Sequence, residues 1–261
     1  MAAVPGSRAE RAAELLLAVR RGAPRLAALP PELAPQTLAE AYAIQTQLLR
    51  ALGSRVGGWK ATLFDARHGI CAPLAWDALL PSPALATSNP TATGNTVRFG
   101  IEPEIAFRLG ADLPPRLPDE PYSAEEVCAA VASVHAVIEI VVTRYVDAEA
   151  VSALERVADN FMNEALVIGP PCTAWHELAL DAVPLQVQVD GARVHSAVGG
   201  HPLGDPLLPL VWLANHLASL GRGLRRGEYV TTGSCNGCRY LQSGQIVQAD
   251  FSGLGSASVS L

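Results

Sequence analysis

The chain has 261 residues, of which 49% are hydrophobic and 17% are charged, enough for one large domain or for a body with a small appendage. This apolar content excludes an intrinsically disordered protein, and the net charge of −6 argues against a nucleic-acid partner or an anionic membrane surface. The five cysteines, the lack of any run of about 18 apolar residues and the lack of a secretory leader favour the reducing cytoplasm.

The first elements along the chain are two helices with capping signals. Ser7 and Thr37 each precede a glutamate by three residues, which is the spacing of a capping box. The helices that they open are predicted to end near residues 21 and 52. Residues 1–55 are therefore predicted to form an N-terminal helical cap on a β-rich domain that spans residues 56–261.

From residue 56 onward, short strand-like runs alternate with turn residues. Helices are predicted at residues 123–135 and 206–220, and Asp190-Gly191 fits a hairpin turn. Strand–helix–strand alternation is not visible, so the pattern predicts an α+β body. The predicted strands are residues 56–62, 97–109, 137–143, 165–168, 183–190, 228–232, 245–251 and 256–261.

One predicted strand carries two carboxylates on the same face. Glu102 and Glu104 project together because successive strand residues alternate between the two faces of a sheet. Pro103, between them, has no N–H for a ladder, which predicts an edge strand or a bulge. The two carboxylates form either a solvated face or, since they repel each other, a site for a cation.

A third carboxylate interrupts an apolar run. Glu139 lies between His135 and Val142, where burial costs several kcal/mol unless the carboxylate is paired or binds a metal. Arg144 could be its partner. Alternatively, Glu139 joins Glu102 and Glu104 in an all-oxygen site, which suits Mg²⁺ or Mn²⁺ rather than Zn²⁺.

Lys60 is the single lysine among 19 basic residues. A single lysine could arise by chance in an arginine-rich composition. Lys60 could also have a purely structural role, in a salt bridge to Asp159 or Asp65. Lysine also has a chemical ability that arginine lacks, because a desolvated ammonium can release its proton. Lys60 is therefore a candidate catalytic residue.

Several short motifs recur in a specific order from residue 57 to the end. They are Gly58-Trp59-Lys60, Ile101 to Phe107, Ile138-Glu139-Ile140 with Arg144, Ala158-Asp159-Asn160, Gly200-His201-Pro202-Leu203, Trp212 to Asn215, Leu224 to Gly227, Thr231 to Ser234, and Phe251 to Gly255. Together they resemble the fumarylacetoacetate hydrolase superfamily, in its hydratase/decarboxylase branch.

The resemblance implies a mixed β-roll or barrel-like body with an N-terminal helical cap. It implies a homo-oligomer and a divalent cation, Mg²⁺ or Mn²⁺, held by Glu102, Glu104 and Glu139. Lys60 and Asp159 are then the catalytic candidates, although Asp159 could instead make a turn with Asn160. The substrate-binding candidates, each of which could also be an ordinary turn, ion-pair or loop residue, are Thr232, Ser234, Arg144 and His68.

The implied activity is the addition of water to a 2-hydroxy-2,4-dienoate, which gives a 4-hydroxy-2-oxo acid in the catabolism of ring meta-cleavage products. The main alternative is decarboxylation of a 2-oxo diacid of the 4-oxalocrotonate type, which needs a further cation such as Arg67, Arg144 or Arg239. Hydrolysis of a C–C bond in an acylpyruvate and a non-catalytic 2-oxo-acid-binding paralogue also remain open.

Two features depart from the usual pattern of this branch. Its hydratases tend to carry an acidic residue after the lysine, where residues 73–81 offer only Asp77. Cys235 and Cys238 stand where small residues or proline are usual.

Overall fold

The computed structural model describes residues 6–65, 67–86, 98–117 and 119–261. The helices are α1 (Arg8–Arg20), α2 (Leu38–Ala51), α3 (Ala124–Ala129), α4 (Ala153–Ala158) and α5 (Leu207–Ser219). The strands are β1 (Val56–Leu63), β2 (Gly69–Ala75), β3 (Leu79–Pro81), β4 (Ala84–Leu85), β5 (Arg98–Leu109), β6 (Val131–Val141), β7 (Asn163–Ile168), β8 (Pro184–Val189), β9 (Ala192–Val198), β10 (Tyr229–Thr231), β11 (Arg239–Gln242), β12 (Ile246–Phe251) and β13 (Gly255–Ser260).

The described strands form two sheets. The larger has the order β2-β1-β10-β5-β6-β7-β3, with β11 also paired to β5, and the smaller has the order β4-β13-β12-β8-β9. The larger sheet curls until β2 lies near β7. Within the described residues β2 forms no ladder with β7 or with the other end strand, β3, so the sheets are open and the predicted barrel-like closure is not found. The fold is a mixture of helices and strands, whereas the sequence predicted the α+β class.

The two faces of the larger sheet bury different side chains. One face adds residues such as Ile105 and Ile138 to the main core, which also contains residues of the smaller sheet and of α5. The other face holds a small apolar cluster of Leu74, Ala106, Val137 and Leu166. Polar side chains lie on both sides of this cluster along β5 and β6, and one of these polar groups is the predicted carboxylate trio.

The N-terminal helices pack in a second core. Leu16 of α1 and Ile44 of α2 share it with Tyr145 and with Val157 of α4. The predicted domain boundary at residue 55 stays a prediction. No helix in the described ranges is long and apolar enough to cross a membrane.

The capping signals predicted the helix starts well. Ser7 forms a complete capping box, whereas the glutamate after Thr37 caps the N–H of Gln36 instead of the N–H of Thr37. Ser152 begins α4 with a further capping box that the sequence analysis missed.

The predicted helix over residues 123–135 is too long. The helix α3 ends at Ala129, and β6 begins at Val131 and continues to Val141 without a break. Val131 and Val134 are β-branched and pair with Leu109 and Phe107 of β5, and this pairing favours a strand. The strand β2 was not predicted either, and Pro73 is tolerated in it because β2 is the edge strand beside β1.

Pro103 lies inside the larger sheet, paired with Ile138 of β6, so the prediction of an edge or a bulge is wrong. On the other side of β5, β10 pairs with residues 106–108 and β11 with residues 98–101, which leaves a gap beside Pro103. The chain between β10 and β11 passes this gap, where the N–H of Cys235 donates to the carbonyl of Pro103 at 2.9 Å. Since no strand continues there, the missing N–H of proline costs nothing.

Candidate active site

The three predicted carboxylates meet across β5 and β6. Glu102 and Glu139 are paired in the register of the two strands, and Glu104 follows on the same face of β5. Each offers a carboxylate oxygen, and these oxygens all lie within 4.8 Å of one another. Glu104 and Glu139 are buried, and Glu102 is partly buried.

The donor set of this trio fits a divalent cation. Glu139 Oε1 accepts hydrogen bonds from Lys60 Nζ at 2.6 Å and from Asn163 Nδ2 at 2.8 Å, whereas its fully buried Oε2 has no hydrogen-bond partner among the described residues. Burial and the charges of Glu139 and Glu102 raise the pKa of Glu104 to about 8. A bound Mg²⁺ or Mn²⁺ would give the buried Oε2 of Glu139 a partner. It would also offset the repulsion between the carboxylates.

Glu104 is positioned by the end of β10. Its Oε2 accepts a hydrogen bond from the hydroxyl of Thr231 and another from the N–H of Gly233 at 3.0 Å. Cys238, directly before β11, lies near Glu102, and desolvation together with the charge of Glu102 raises the pKa of its thiol to about 12. This thiol therefore stays protonated near neutral pH.

Lys60 lies at the centre of the site with 6% of its surface exposed. Its ammonium donates to Glu139, and also to the carbonyl oxygen of Phe161 at 3.3 Å, and it lies 5.2 Å from the centre of the Phe161 ring. Burial alone would lower the pKa of Lys60, but the charges of Glu139, Glu102 and Glu104 outweigh it and raise that pKa. The partner of Lys60 is thus Glu139, and neither Asp159 nor Asp65.

A left-handed turn brings Phe161 to Lys60. Asn160, Phe161 and Met162 have φ angles of 50°, 50° and 62°, which L-residues rarely adopt. Arg144 donates to the carbonyl oxygens of Met162 at 3.3 Å and of Asn163 at 3.1 Å. The strained turn is therefore held by a buried guanidinium.

Arg144 and Asp159 form a buried ion pair of their own. Arg144 Nε lies 3.5 Å from Asp159 Oδ1, and Arg144 also pairs with Glu164. Burial raises the pKa of Asp159, while the charges of Arg144 and Arg20 oppose this rise. Neither Arg144 nor Asp159 lines the cavity beside the carboxylates, and Arg144 does not pair with Glu139.

A cavity of about 360 Å³ adjoins Lys60, Glu102 and Glu104. Among the described residues that line it, Lys60 is the one lysine or arginine. His201 also lines it, but Nδ1 accepts from the N–H of Leu203 and Nε2 bonds the carbonyl of Thr232, and burial lowers the pKa of this histidine. These bonds fit a neutral imidazole.

The other predicted substrate contacts differ in their placement. Thr232 and Ser234 line the cavity, but the Thr232 hydroxyl donates to the carbonyl of Ile105 at 3.1 Å and the Ser234 hydroxyl donates to that of Gly237 at 2.9 Å. His68 lies outside the cavity on the turn between β1 and β2, where its exposed ring pairs with Asp65 at 2.9 Å. Because each hydroxyl donates its one proton to a main-chain carbonyl, it can offer a ligand in the cavity only an acceptor lone pair.

Three residues that contact the carboxylates or Lys60 were not predicted from the sequence. Thr231 and Asn163 bond the carboxylates, and Phe161 contacts Lys60. Thr231 pairs with Lys60 between β10 and β1, so strand alternation could have placed it on the same face had the register been known. Phe161 gives no such signal because it belongs to the left-handed turn, and Asn163 gives none because it begins β7 at an irregularity in the pairing with β6.

Comparison with known proteins shows the family to which the chain belongs. The family model "Fumarylacetoacetate (FAA) hydrolase C-terminal" matches residues 80–260. The 2-keto-4-pentenoate hydratase of Paraburkholderia xenovorans strain LB400 is 30% identical over 97% of this chain and 94% of that protein. A 4-oxalocrotonate decarboxylase of Pseudomonas putida is 25% identical over 85% of this chain and 84% of that protein.

The fold is also found among solved structures. The 4-oxalocrotonate decarboxylase from Pseudomonas putida G7, complexed with magnesium and adipate, has a TM-score of 0.82 and 22% identity, and the match covers 98% of both chains. The protein is thus an enzyme of mixed α/β fold with an acidic group that could bind a metal ion. It belongs to the fumarylacetoacetate hydrolase family.

Proposed function

We propose that this enzyme is a divalent-metal-dependent hydratase that adds water to a 2-hydroxy-2,4-dienoate and forms a 4-hydroxy-2-oxo acid. The observation that supports this most is the carboxylate trio beside one cavity, which Glu102 and Glu104 line together with Lys60, the one lysine or arginine among the described lining residues. A dienoate brings one carboxylate. A 2-oxo diacid would bring a second, for which the described lining residues offer no further lysine or arginine.

Glu102, Glu104 and Glu139 would hold Mg²⁺ or Mn²⁺. When bound, the ion would supply a Lewis acid that stabilises negative charge on the oxygens of a 2-oxo acid.

Lys60 would act on the same charge from the protein side. Its ammonium is fixed by Glu139 and Phe161 beside the cavity, so it can attract the anionic end of the substrate. Ketonisation of the dienol moves a proton to the terminal carbon and leaves an enone, and water then adds at the β carbon of that enone. In both steps negative charge develops at the 2-oxygen, where a fixed ammonium stabilises it without reorganisation.

The remaining wall of the cavity suits the hydrocarbon part of such a substrate. Ala61 and Leu63 of β1 line it, together with Pro202 and Leu203. These side chains have no charge that would bind a second carboxylate. Their proximity to Lys60 also limits the water around the reacting carbons.

An absorbance assay tests this proposal. We expect 2-hydroxypenta-2,4-dienoate to lose its ultraviolet band in the presence of Mg²⁺ or Mn²⁺, without release of CO₂, and chelation to stop the reaction. Faster CO₂ release from 4-oxalocrotonate would instead make the enzyme a decarboxylase. A protein that neither binds Mn²⁺ nor turns over either acid would contradict both activities.

We further propose that the enzyme takes part in the catabolism of ring meta-cleavage products as a homo-oligomer. The support is the family membership together with the proposed substrate. Light scattering gives the mass in solution, and a monomeric mass would contradict the oligomer.

A further inference from the structure

Five arginines surround a second and larger cavity, the arginine cleft. Its volume is about 750 Å³, and its arginines are Arg55, Arg108, Arg222, Arg225 and Arg226. All five are exposed, although the protein as a whole carries a net charge of −6. Arg108 is six residues beyond Glu102 on β5, about 20 Å along the strand, so the cleft is separate from the carboxylate site.

The carboxylates in the lining, Glu228 and Asp112, can offset at most two of the five arginine charges. No ion pair among the described residues includes any of them. The acidic side chains in the lining, Glu228 and Asp112, accept hydrogen bonds from other groups. Glu228 accepts from the indole N–H of Trp59 at 3.2 Å and from the main-chain N–H of Arg225 at 3.1 Å, and Asp112 accepts from the main-chain N–H of Arg226 at 2.6 Å.

Aromatic rings hold three of these guanidinium groups in place. Arg55 lies 3.7 Å from the ring centre of Trp76, Arg222 lies 4.9 Å from that of Trp59, and Arg108 lies 5.8 Å from that of Tyr229. A ring face attracts a guanidinium but leaves the N–H groups along its edge free to donate. The cleft therefore presents ordered cations whose donors point to no carboxylate of the described chain.

We propose that the arginine cleft binds a small anion that carries two or more phosphate or carboxylate groups. Guanidinium groups bind both kinds of group through paired N–H donors, and several cations in one cavity favour a ligand with several anionic groups. The volume lies within the range of small-molecule sites, about 300–1,000 Å³. A concave site of this size suits a small ligand better than the flat surface of a second copy of the chain.

Calorimetric titration of the full-length protein in excess Mg²⁺ tests the proposal. The probes are glucose 1,6-bisphosphate and propane-1,2,3-tricarboxylate, which hold Mg²⁺ only weakly. We expect at least one to bind with a Kd below about 1 mM at low salt. The probe that binds more tightly identifies the ligand as a phosphate ester or a polycarboxylate.

A matched pair of variants separates the cleft from general charge. We expect Arg108→Gln/Arg222→Gln to weaken binding at least about tenfold, and Arg50→Gln/Arg193→Gln, which removes two exposed arginines outside the cleft, to leave it unchanged. Circular dichroism checks that both variants fold. The proposal is overturned if neither probe saturates, or if both variants bind equally weakly. It is also overturned if the cleft variant lowers the oligomeric mass while neither probe binds, because the cleft is then an interface between copies.

Discussion

The ammonium of Lys60 makes three contacts at once, with a carboxylate, a main-chain carbonyl and an aromatic ring. The sequence singled out this residue because it is the only lysine, but it did not identify the partners. Sequence reasoning offered Asp159 or Asp65, and both lie in ion pairs elsewhere. The partner depends on how β1, β10, β5 and β6 align, and residue type alone does not encode that alignment.

Lys60→Arg tests whether the ammonium itself is needed. We expect the variant to fold and to lose at least about 100-fold in kcat, because a guanidinium is wider and cannot repeat the contacts that Lys60 makes with Glu139 and Phe161. Steady-state kinetics with the dienoate and thermal unfolding measure the two effects. Turnover close to that of the unchanged enzyme would show that charge alone suffices at this position.

The turn at Phe161 offers a second test at the level of one residue. Phe161→Gly and Phe161→Ala both remove the ring, but only glycine relaxes a φ of 50°. We expect the glycine variant to be the more stable of the two by about 1 kcal/mol, the reverse of their order in a helix. Denaturant unfolding measures this difference, and an alanine variant of equal or greater stability would contradict the strain.

At the level of single elements, β5 shows where local sequence reasoning succeeds and where it fails. The alternation of strand residues correctly predicted that Glu102 and Glu104 share a face. The same reasoning placed Pro103 at an edge, because it could not foresee that β10 and β11 leave a gap beside a central strand. That gap lets the chain after Thr232 approach the carboxylates, so a property of the whole sheet determines the site.

The end of β10 provides a matched pair of variants. Thr231→Val removes the hydroxyl that donates to Glu104, and Thr232→Val removes one that donates to the carbonyl of Ile105. We expect the first to weaken Mn²⁺ binding about tenfold, because it frees a ligand from its orienting bond. The second should change Mn²⁺ affinity little. Mn²⁺ titration followed by electron paramagnetic resonance measures both, and equal affinities would contradict the role of Thr231.

At the scale of the whole molecule, the periodic pattern predicted most strands and the mixed fold, whereas the path of the sheets was beyond it. Closure would require the two end strands of the larger sheet, β2 and β3, to form a ladder, and their local sequences carry no signal for that. The first residues of β6 were predicted to be helical, because they follow closely after the capped start of α3. Long-range pairing, rather than local preference, decided each of these points.

The stability of the metal-free protein should fall as the pH rises. The pKa of Glu104 is about 8 in the folded state, against an ordinary value of 4.5, so the folded state retains a proton that the unfolded state has lost. A raised carboxyl pKa contributes stability below the ordinary value, and that contribution is lost as the pH rises toward 8. Glu102, whose pKa burial and Glu139 also raise, acts in the same direction.

Calorimetry of the metal-free protein between about pH 5 and pH 9 measures this loss as a decreasing Tm. We expect the decrease to be smaller in Glu104→Gln, which cannot ionise at this position. Added Mg²⁺ should raise the Tm most at high pH, because the ion binds the deprotonated carboxylates. The linkage would be contradicted if the Tm of the metal-free protein stayed constant over this range. It would also be contradicted if that Tm rose in parallel with the Tm of the Glu104→Gln variant.

The two faces of β5 have a consequence for how this strand tolerates change. Its odd-numbered residues from Ile101 to Leu109 lie in the main core or beside it, while the even-numbered ones include Glu102, Glu104 and Arg108. In a saturation library of residues 98–109, the effect of substitution should therefore alternate between odd and even positions. Substitutions at odd positions would lower the amount of protein that cells accumulate, and substitutions at Glu102 and Glu104 would spare that amount while abolishing turnover.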